Sequence, residues 1–308
     1  MPSLTVILAT FNGAETIAAT LGALSRLEAP DGGWKLVVVN NGSTDGTKAI
    51  VETFADRLPL QFLDHPVANK NAALNAALAH VEGDLVVFAD DDIIARPDWL
   101  VGFRRLAAEN PSFAIFGAPM QPLWPSDPPP WIEHGIPWGA AFAAHPDDLA
   151  DGPAPSHVIW GGNMAVRRSV FDAGHRFDEA YGPRLGRNIL MASETEFTWR
   201  VEKLGHACWF SNRFPVGHQI QPSQFTPSWL AGRARRFGAT RAVRHKAMYR
   251  SSPLRDSARA VRRLCGHGAR WLLSWPAADR TARYRAMWGV NYEFGYLSRR
   301  IPITKSDI

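Results

Sequence analysis

The chain has 308 residues, 46% hydrophobic and 20% charged, with a formal net charge of +5, the composition of a folded globular protein rather than a disordered or fibrous one. No apolar stretch approaches the roughly 18 residues that span a bilayer, and the opening "MPSLTVILATFNG" lacks the basic n-region of a secretory leader, so a cytoplasmic protein is the expectation. Cys208 and Cys265 fit no metal-ligand spacing and read as free thiols of a reducing compartment.

"LTVILAT" (4–10) is a β-branched apolar run that ends at Asn12-Gly13. "AETIAATLGALSRL" (14–27) then sets Ile17, Leu21, Leu24 and Leu27 on a helical stripe. "KLVVVNNGSTDGT" (35–47) is a second buried strand breaking into a polar loop, and "GTKAIVETFADRL" (46–58) a second helix with Ile50, Val51 and Phe54 on one face. "NAALNAALAHV" (71–81) reads as a third helix and "GDLVVFADDD" (83–92) as a third buried strand. Strands that are continuously apolar and alternate with helices predict an α/β fold with a mostly parallel sheet covered on both faces. In such sheets ligands gather at the carboxyl ends of the strands. The polar clusters at 10–12, 40–45 and 90–92 all fall at such ends, so three distant pieces of chain are expected to converge on one sheet edge.

Asp90, Asp91 and Asp92 are the most informative of these. Three adjacent carboxylates repel one another, and a divalent cation relieves that repulsion. Hard oxygen ligands suit Mg²⁺ or Mn²⁺ bound jointly with substrate phosphates. The competing reading is a solvated loop before the helix of "PDWL".

With these motifs in order, the chain resembles the family 2 glycosyltransferases, whose fold is the GT-A fold. "LTVILATFNGAETIAATL" resembles that family's opening strand and helix, "VVVNNGSTDGT" its nucleotide loop, and "FADDDI" its DxD motif, with Asp90 and Asp92 as the paired aspartates. "WGGNMAVRRSVFDAGHRFDEAYGP" (160–183) resembles the acceptor-side segment and "SETEFTWRVEKLGH" (193–206) the helix of the catalytic base. The resemblance covers residues 3 to 240. It implies inverting transfer of a sugar from a UDP-, GDP- or dTDP-linked donor to a hydroxyl of a saccharide or lipid-linked acceptor, in cell-surface polysaccharide or glycolipid synthesis. It implies Mn²⁺ or Mg²⁺ held by Asp92 and Asp90. His218, in "PVGHQI", is either a further metal ligand or an ordinary loop histidine.

On the donor side the resemblance selects Thr10, Phe11, Asn12, Asn40, Asp45, Lys70, Asp90 and Asp91. Phe11 could stack on the base, Asp45 could equally cap a helix in "STDG", and Asp91, the middle residue, has a structural part. Family members usually have Asp where this chain has Asn40. On the acceptor side it selects Trp160, Gly161, Gly162 and Asn163, with core packing the other reading of the tryptophan. The general base is Glu194 or Glu196. Glu196 stands four residues before Arg200, the order that makes a helical ion pair, so Glu194 is the preferred base.

The domain reading is a GT-A domain over 1–224, its nucleotide-sugar half about 1–118 and acceptor half about 119–224, followed by a basic helical extension over 225–308. That extension holds sixteen Arg and two Lys against four acids, a net of +14, leaving about −9 on the rest. "SPLRDSARAVRRLCGHGARWLLSW" (252–275) sets Ala258, Val261, Leu264/Cys265 and Leu272 on one stripe, with Arg255, Arg259, Arg262 and Arg263 largely away from it. A basic amphipathic helix reads as an anionic-membrane contact or as a helix packed on its own body. Nucleic acid is a poor fit, because no nucleic-acid motif accompanies the charge. The rival functions are a metal-dependent sugar-phosphate nucleotidyltransferase, whose Gly-rich, Lys/Arg-bearing signature "ATFNGAET" lacks, and an inactive sugar- or nucleic-acid-binding protein.

Overall fold

The computed structural model describes residues 3–183, 190–191, 193–248 and 252–299, except the side chains of 245–248 and 253. In chain order its strands are β1 (Leu4–Thr10), β2 (Trp34–Asn40), β3 (Leu60–Asp64), β4 (Leu85–Ala89), β5 (Ile93–Ile94), β6 (Ile115–Gly117), β7 (Met120–Leu123), β8 (Gly152–Pro153), β9 (Met164–Arg167), β10 (Cys208–Phe210) and β11 (Val216–Gln219). The helices are α1 (Ile17–Leu24), α2 (Thr47–Glu52), α3 (Lys70–Ala77), α4 (Trp99–Glu109), α5 (Pro130–Glu133), α6 (Trp138–Phe142), α7 (Arg168–Asp172), α8 (Ser193–Lys203), α9 (Pro227–Met248), α10 (Pro253–Leu273) and α11 (Arg280–Ser298).

The chain forms two compact units, one of residues 1–123 with 143–219 and one of 124–142 with 220–308. They divide the chain differently from the boundary expected at 224/225. The Pro/Trp-rich segment Trp124–Phe142 belongs with the C-terminal helices, because its Ile132, Ile136 and Phe142 share one apolar core with Leu230, Ala234 and Trp288.

The first unit is built on a sheet of order β3-β2-β1-β4-β9-β6-β10-β8. β3, β2, β1 and β4 are mutually parallel, whereas β9 runs antiparallel to both β4 and β6. Alternation along β1 explains why its apolar run is unbroken. Leu4, Val6 and Leu8 face α1, α2 and α4, while Ile7 and Ala9 face α3, α7 and α8, and a strand buried on both faces needs apolar residues at every position. α3 starts at Asn69, whose side-chain oxygen accepts the N–H groups of Asn71 and Ala72, satisfying two donors that no helical carbonyl reaches. The edge strand β3 goes unseen in the sequence, since "LQFLD" is only half-buried and carries little apolar signal.

The second unit is helical. α11 packs along α9 and α10, and the buried Glu293 of α11 accepts from Arg263 of α10 at 2.6 Å and Arg241 of α9 at 3.5 Å. One carboxylate thus ties the three helices together, so at least two of the basic residues in the extension serve packing. Gly266 and Gly268 do not interrupt α10.

Candidate active site

The three polar clusters do end neighbouring strands. β1 stops at Thr10, β2 at Asn40 and β4 at Ala89, just before the aspartates, and the three strands are hydrogen-bonded neighbours. Each aspartate has a different partner. Asp91 accepts the Thr10 hydroxyl, and its backbone carbonyl accepts that of Thr20 at 2.9 Å, so it fastens the aspartate loop to β1 and α1. Burial and the neighbouring Asp92 charge push its carboxyl up to about 7 against the Thr10 hydrogen bond. Asp92 lies 3.1 Å from Nε2 of His218. The pairing of β11 with β5 sets His218 opposite Ile93, which brings a residue 126 positions away beside the aspartate. Burial alone would raise the Asp92 carboxyl, but the imidazole outweighs it and holds the group low. Its other oxygen, Oδ1, is buried without a hydrogen-bond partner.

That orphaned oxygen is what a hard cation would satisfy, with Asp92 and His218 as its protein ligands and Asp90 beside them. Among the described residues no three carboxylate, imidazole or thiolate groups converge on one point. The donor set therefore fits an ion such as Mg²⁺ or Mn²⁺ that keeps waters and completes its shell with substrate phosphates.

Asp90 is held by Lys70 of α3, whose ammonium donates to Asp90 Oδ1 at 2.6 Å and to Glu194 Oε1 at 3.0 Å. Burial opposes the Lys70 charge, and the two carboxylates more than restore it. Burial pushes Asp90 up. Burial works the same way on Glu194, but there Lys70 prevails and the carboxyl stays below its ordinary range, ionised and able to accept a proton. Gly161 and Gly162 lie against the same two acids. A Cβ on Gly161 would come within 2.3 Å of Glu194 Cγ, and one on Gly162 within 2.5 Å of Met120 Cε and 3.0 Å of Asp90 Oδ2. Only side-chain-free backbone admits this approach. Glu196, by contrast, is engaged by Arg200 at 2.8 Å along α8.

On the donor loop, Asn12 has a positive φ of 51°, its side-chain oxygen accepts the Thr44 N–H at 2.8 Å and its own N–H donates to Ser43 Oγ at 2.9 Å. It fixes the crossing of the β1 and β2 loops. Asp45 accepts from the Thr47 N–H and hydroxyl and from Ala14 N–H, one residue before Gly46, the N-cap of α2. Phe11 is 40% exposed, free to meet a planar ligand. Asn40 is buried. Its amide donates to Asp64 Oδ1 at 2.7 Å and its oxygen accepts the Ser43 N–H at 3.1 Å. An aspartate at 40 would face Asp64 across that distance, so the amide fits a chain that carries its acid on the neighbouring strand. Asp64 also pairs with Lys48 at 2.8 Å. Nothing in the sequence singles Asp64 out, because β3 itself is not legible there.

Asn163 stands in the core. It is fully buried, its oxygen accepts Trp99 Nε1–H at 2.8 Å, and its amide donates to the Pro119 carbonyl at 2.8 Å. It holds β9 to α4 and β7. Trp160 stacks on His145, ring centroids 3.7 Å apart, a partner that sequence spacing gives no means of finding. His145 has its tautomer set by its neighbours. Nδ1 accepts the Met120 N–H at 3.0 Å, so Nε2–H donates to the Val158 carbonyl at 2.8 Å.

Burial pushes the His145 ring down to about 4, while an unfolded histidine titrates near 6.5. Between those values the unfolded chain binds the extra proton, so stability is full above 6.5 and falls as pH drops through the window. Urea unfolding at pH 7 and pH 5 should show a loss of about 2 kcal/mol from this ring, and His145→Gln should remove that part of the slope. Equal slopes in both proteins would assign the acid sensitivity elsewhere.

A mixed sheet with a carboxylate-lined edge at the parallel strand ends, with an antiparallel strand and a glutamate-bearing helix beside it, has the GT-A fold. Two solved structures share it. A mannosyltransferase from Pyrobaculum calidifontis, in complex with GDP-Man and Mn²⁺, matches with a TM-score of 0.65 at 18% identity, covering 96% of this chain and 87% of that one. Staphylococcus aureus TarS in complex with UDP-GlcNAc matches with a TM-score of 0.54 at 16% identity, covering 96% and 91%. In sequence, glycosyltransferase AglE of Haloferax volcanii is 32% identical over 212 residues, 59% of this chain and 65% of that protein. The chain spans less than two thirds of the length of the curated relatives it matches. The family model described as glycosyl transferase family 2 matches residues 5–174. The chain belongs to glycosyl transferase family 2.

Proposed function

We propose that the chain is an inverting glycosyltransferase. It moves a sugar from a UDP-, GDP- or dTDP-linked donor to a hydroxyl of a saccharide or lipid-linked acceptor, in cell-surface polysaccharide or glycolipid synthesis. The observation that carries this reading is the line Asp90–Lys70–Glu194 with Gly161 and Gly162 against it. In this reading Asp90 lies on the diphosphate side and Glu194 on the side from which the nucleophile approaches. Glu194 takes the proton of the acceptor hydroxyl. That oxygen attacks the anomeric carbon as the bond to the diphosphate breaks, and the nucleoside diphosphate leaves with the electron pair. Lys70 keeps Glu194 ionised and oriented. Mn²⁺ or Mg²⁺ at Asp92 and His218, with Asp90 nearby, would supply Lewis-acid neutralisation of the leaving diphosphate. Phe11, Thr10 and the loop fixed by Asn12 and Asn40 frame the base and ribose, and Trp160 offers a ring face to a sugar. The named ligands of the two structural neighbours, GDP-Man with Mn²⁺ and UDP-GlcNAc, support a nucleotide-sugar donor. No helix among the described residues is long and apolar enough to cross a membrane, and the basic extension is the part suited to peripheral contact with an anionic leaflet.

A panel of nucleotide-sugars in a thermal-shift assay, with and without Mn²⁺, tests this. The correct donor at a hundredfold over its dissociation constant should stabilise the protein by roughly 2.7 kcal/mol, and the shift should need the metal. No stabilisation by any nucleotide-sugar would overturn the reading.

A further inference from the structure

The apolar stripe of α10 faces away from its own unit. Its inward face carries Asp256 and Ala260, both buried, with Arg263 on Glu293 and Leu264 against the core of Ala242 and Tyr296. The outward face carries Leu254, Ala258, Val261, Cys265 and Leu272, spaced by three, four and seven residues and hence on one side of the helix. Leu254 is 84% exposed and Leu272 63%. At 1.5 Å per residue the stripe runs for ~27 Å. Aqueous proteins rarely leave so continuous an apolar line in contact with water.

Charge and aromatic content say what covers it. Arg255, Arg259, Arg262 and Arg270 are exposed, and at 100° per residue they project from one flank of the stripe. The only acid of the helix, Asp256, points inward. At the C-terminal end Trp271, Leu273 and Trp275 are exposed, with the Arg283 guanidinium 3.9 Å over the Trp275 ring. Tryptophan and arginine together at the rim of an apolar strip suit the boundary between head groups and acyl chains. A second copy laid antiparallel on the stripe would set its own arginine flank beside this one, where like charges repel.

We propose that α10 is an in-plane membrane anchor, the Leu254–Leu272 stripe entering the acyl boundary of an anionic bilayer and the arginine flank contacting its head groups. This sharpens the peripheral contact named above and needs no particular donor or acceptor.

Cys265 gives a direct probe, being exposed on the stripe, whereas Cys208 is buried and its thiol is pushed up to about 12 by that burial. The full chain labelled at Cys265 with nitrobenzoxadiazole should shift its emission to the blue on adding phosphatidylglycerol/phosphatidylcholine vesicles, and brominated acyl chains should quench it. Vesicles of phosphatidylcholine alone should give little shift, and salt should weaken the effect. The triple variant Leu254→Ser, Val261→Ser, Leu272→Ser changes only exposed side chains. It should sediment with anionic vesicles at least roughly tenfold more weakly, while keeping the thermal shift with nucleotide-sugar and Mn²⁺, so loss of anchoring and loss of the transferase reading are separable. Wild-type sedimentation by the triple variant would overturn the proposal. So would a label that blue-shifts without lipid as the chain dimerises, which would make a second copy the occupant.

Discussion

Glu194→Gln should lower the transfer turnover number by about 10²–10⁴, the range for loss of a general base, while donor affinity stays near that of the wild type. The amide is the size of the carboxylate and its oxygen can still accept from Lys70, now 3.0 Å away, so the line through Lys70 to Asp90 is kept and only the basicity is lost. Glu196→Gln is the control. Its carboxylate sits 2.8 Å from Arg200 on the same helix, a pair worth roughly 0.2–0.5 kcal/mol of stability, and turnover should hold. The check is the turnover number of both variants at saturating donor and acceptor, beside the donor dissociation constant. Normal turnover in Glu194→Gln with collapse in Glu196→Gln would move the role to Glu196. Normal turnover in both would mean that the proton leaves by another route.

Asp92→Ala should abolish the metal-dependent part of donor binding. The substitution removes the carboxylate that faces His218 at 3.1 Å and carries the one buried oxygen of the aspartate cluster without a partner among the described residues. A diphosphate would then meet Asp90 with no cation between them, and a cation in such a site is worth several kcal/mol of charge stabilisation. Asp91→Asn should be much milder, since its side chain can still accept the Thr10 hydroxyl and its backbone carbonyl still accepts Thr20. Calorimetric titration of donor with and without Mn²⁺ separates the two. Wild-type Mn²⁺-dependent affinity in Asp92→Ala would refute the assignment of the cation site.

Packing supplies partners for two residues that the sequence leaves open. Asp45 spends its oxygens on Thr47 and Ala14. The departure from the family at Asn40 makes sense beside Asp64, yet it cannot be interpreted without β3, whose half-buried residues leave no clear periodicity. Asn163 likewise has its partners set by packing. A polar residue in a glycine-rich motif looks functional, but here it satisfies Trp99 and Pro119 inside the core, where an unmade hydrogen bond would be expensive.

By itself the sequence determined the class of fold and the sheet edge at which the three polar clusters gather. These follow from local pattern: both-faces burial demands unbroken apolar strands, helices show their period, and a parallel strand must deliver its polar residues at its carboxyl end. Only the tertiary structure decided which groups meet. Lys70 and Glu194 are 124 positions apart and Asp92 and His218 126, and no period reports a distance across such a loop. The same holds for the outward turn of the α10 stripe. Its amphipathic pattern is plain in sequence, but a helix with one apolar face can lay that face on its own body or leave it for a partner. Here Arg263 reaches the buried Glu293 and Ala260 is buried, so that side of α10 lies inward and the stripe on the opposite side is left exposed.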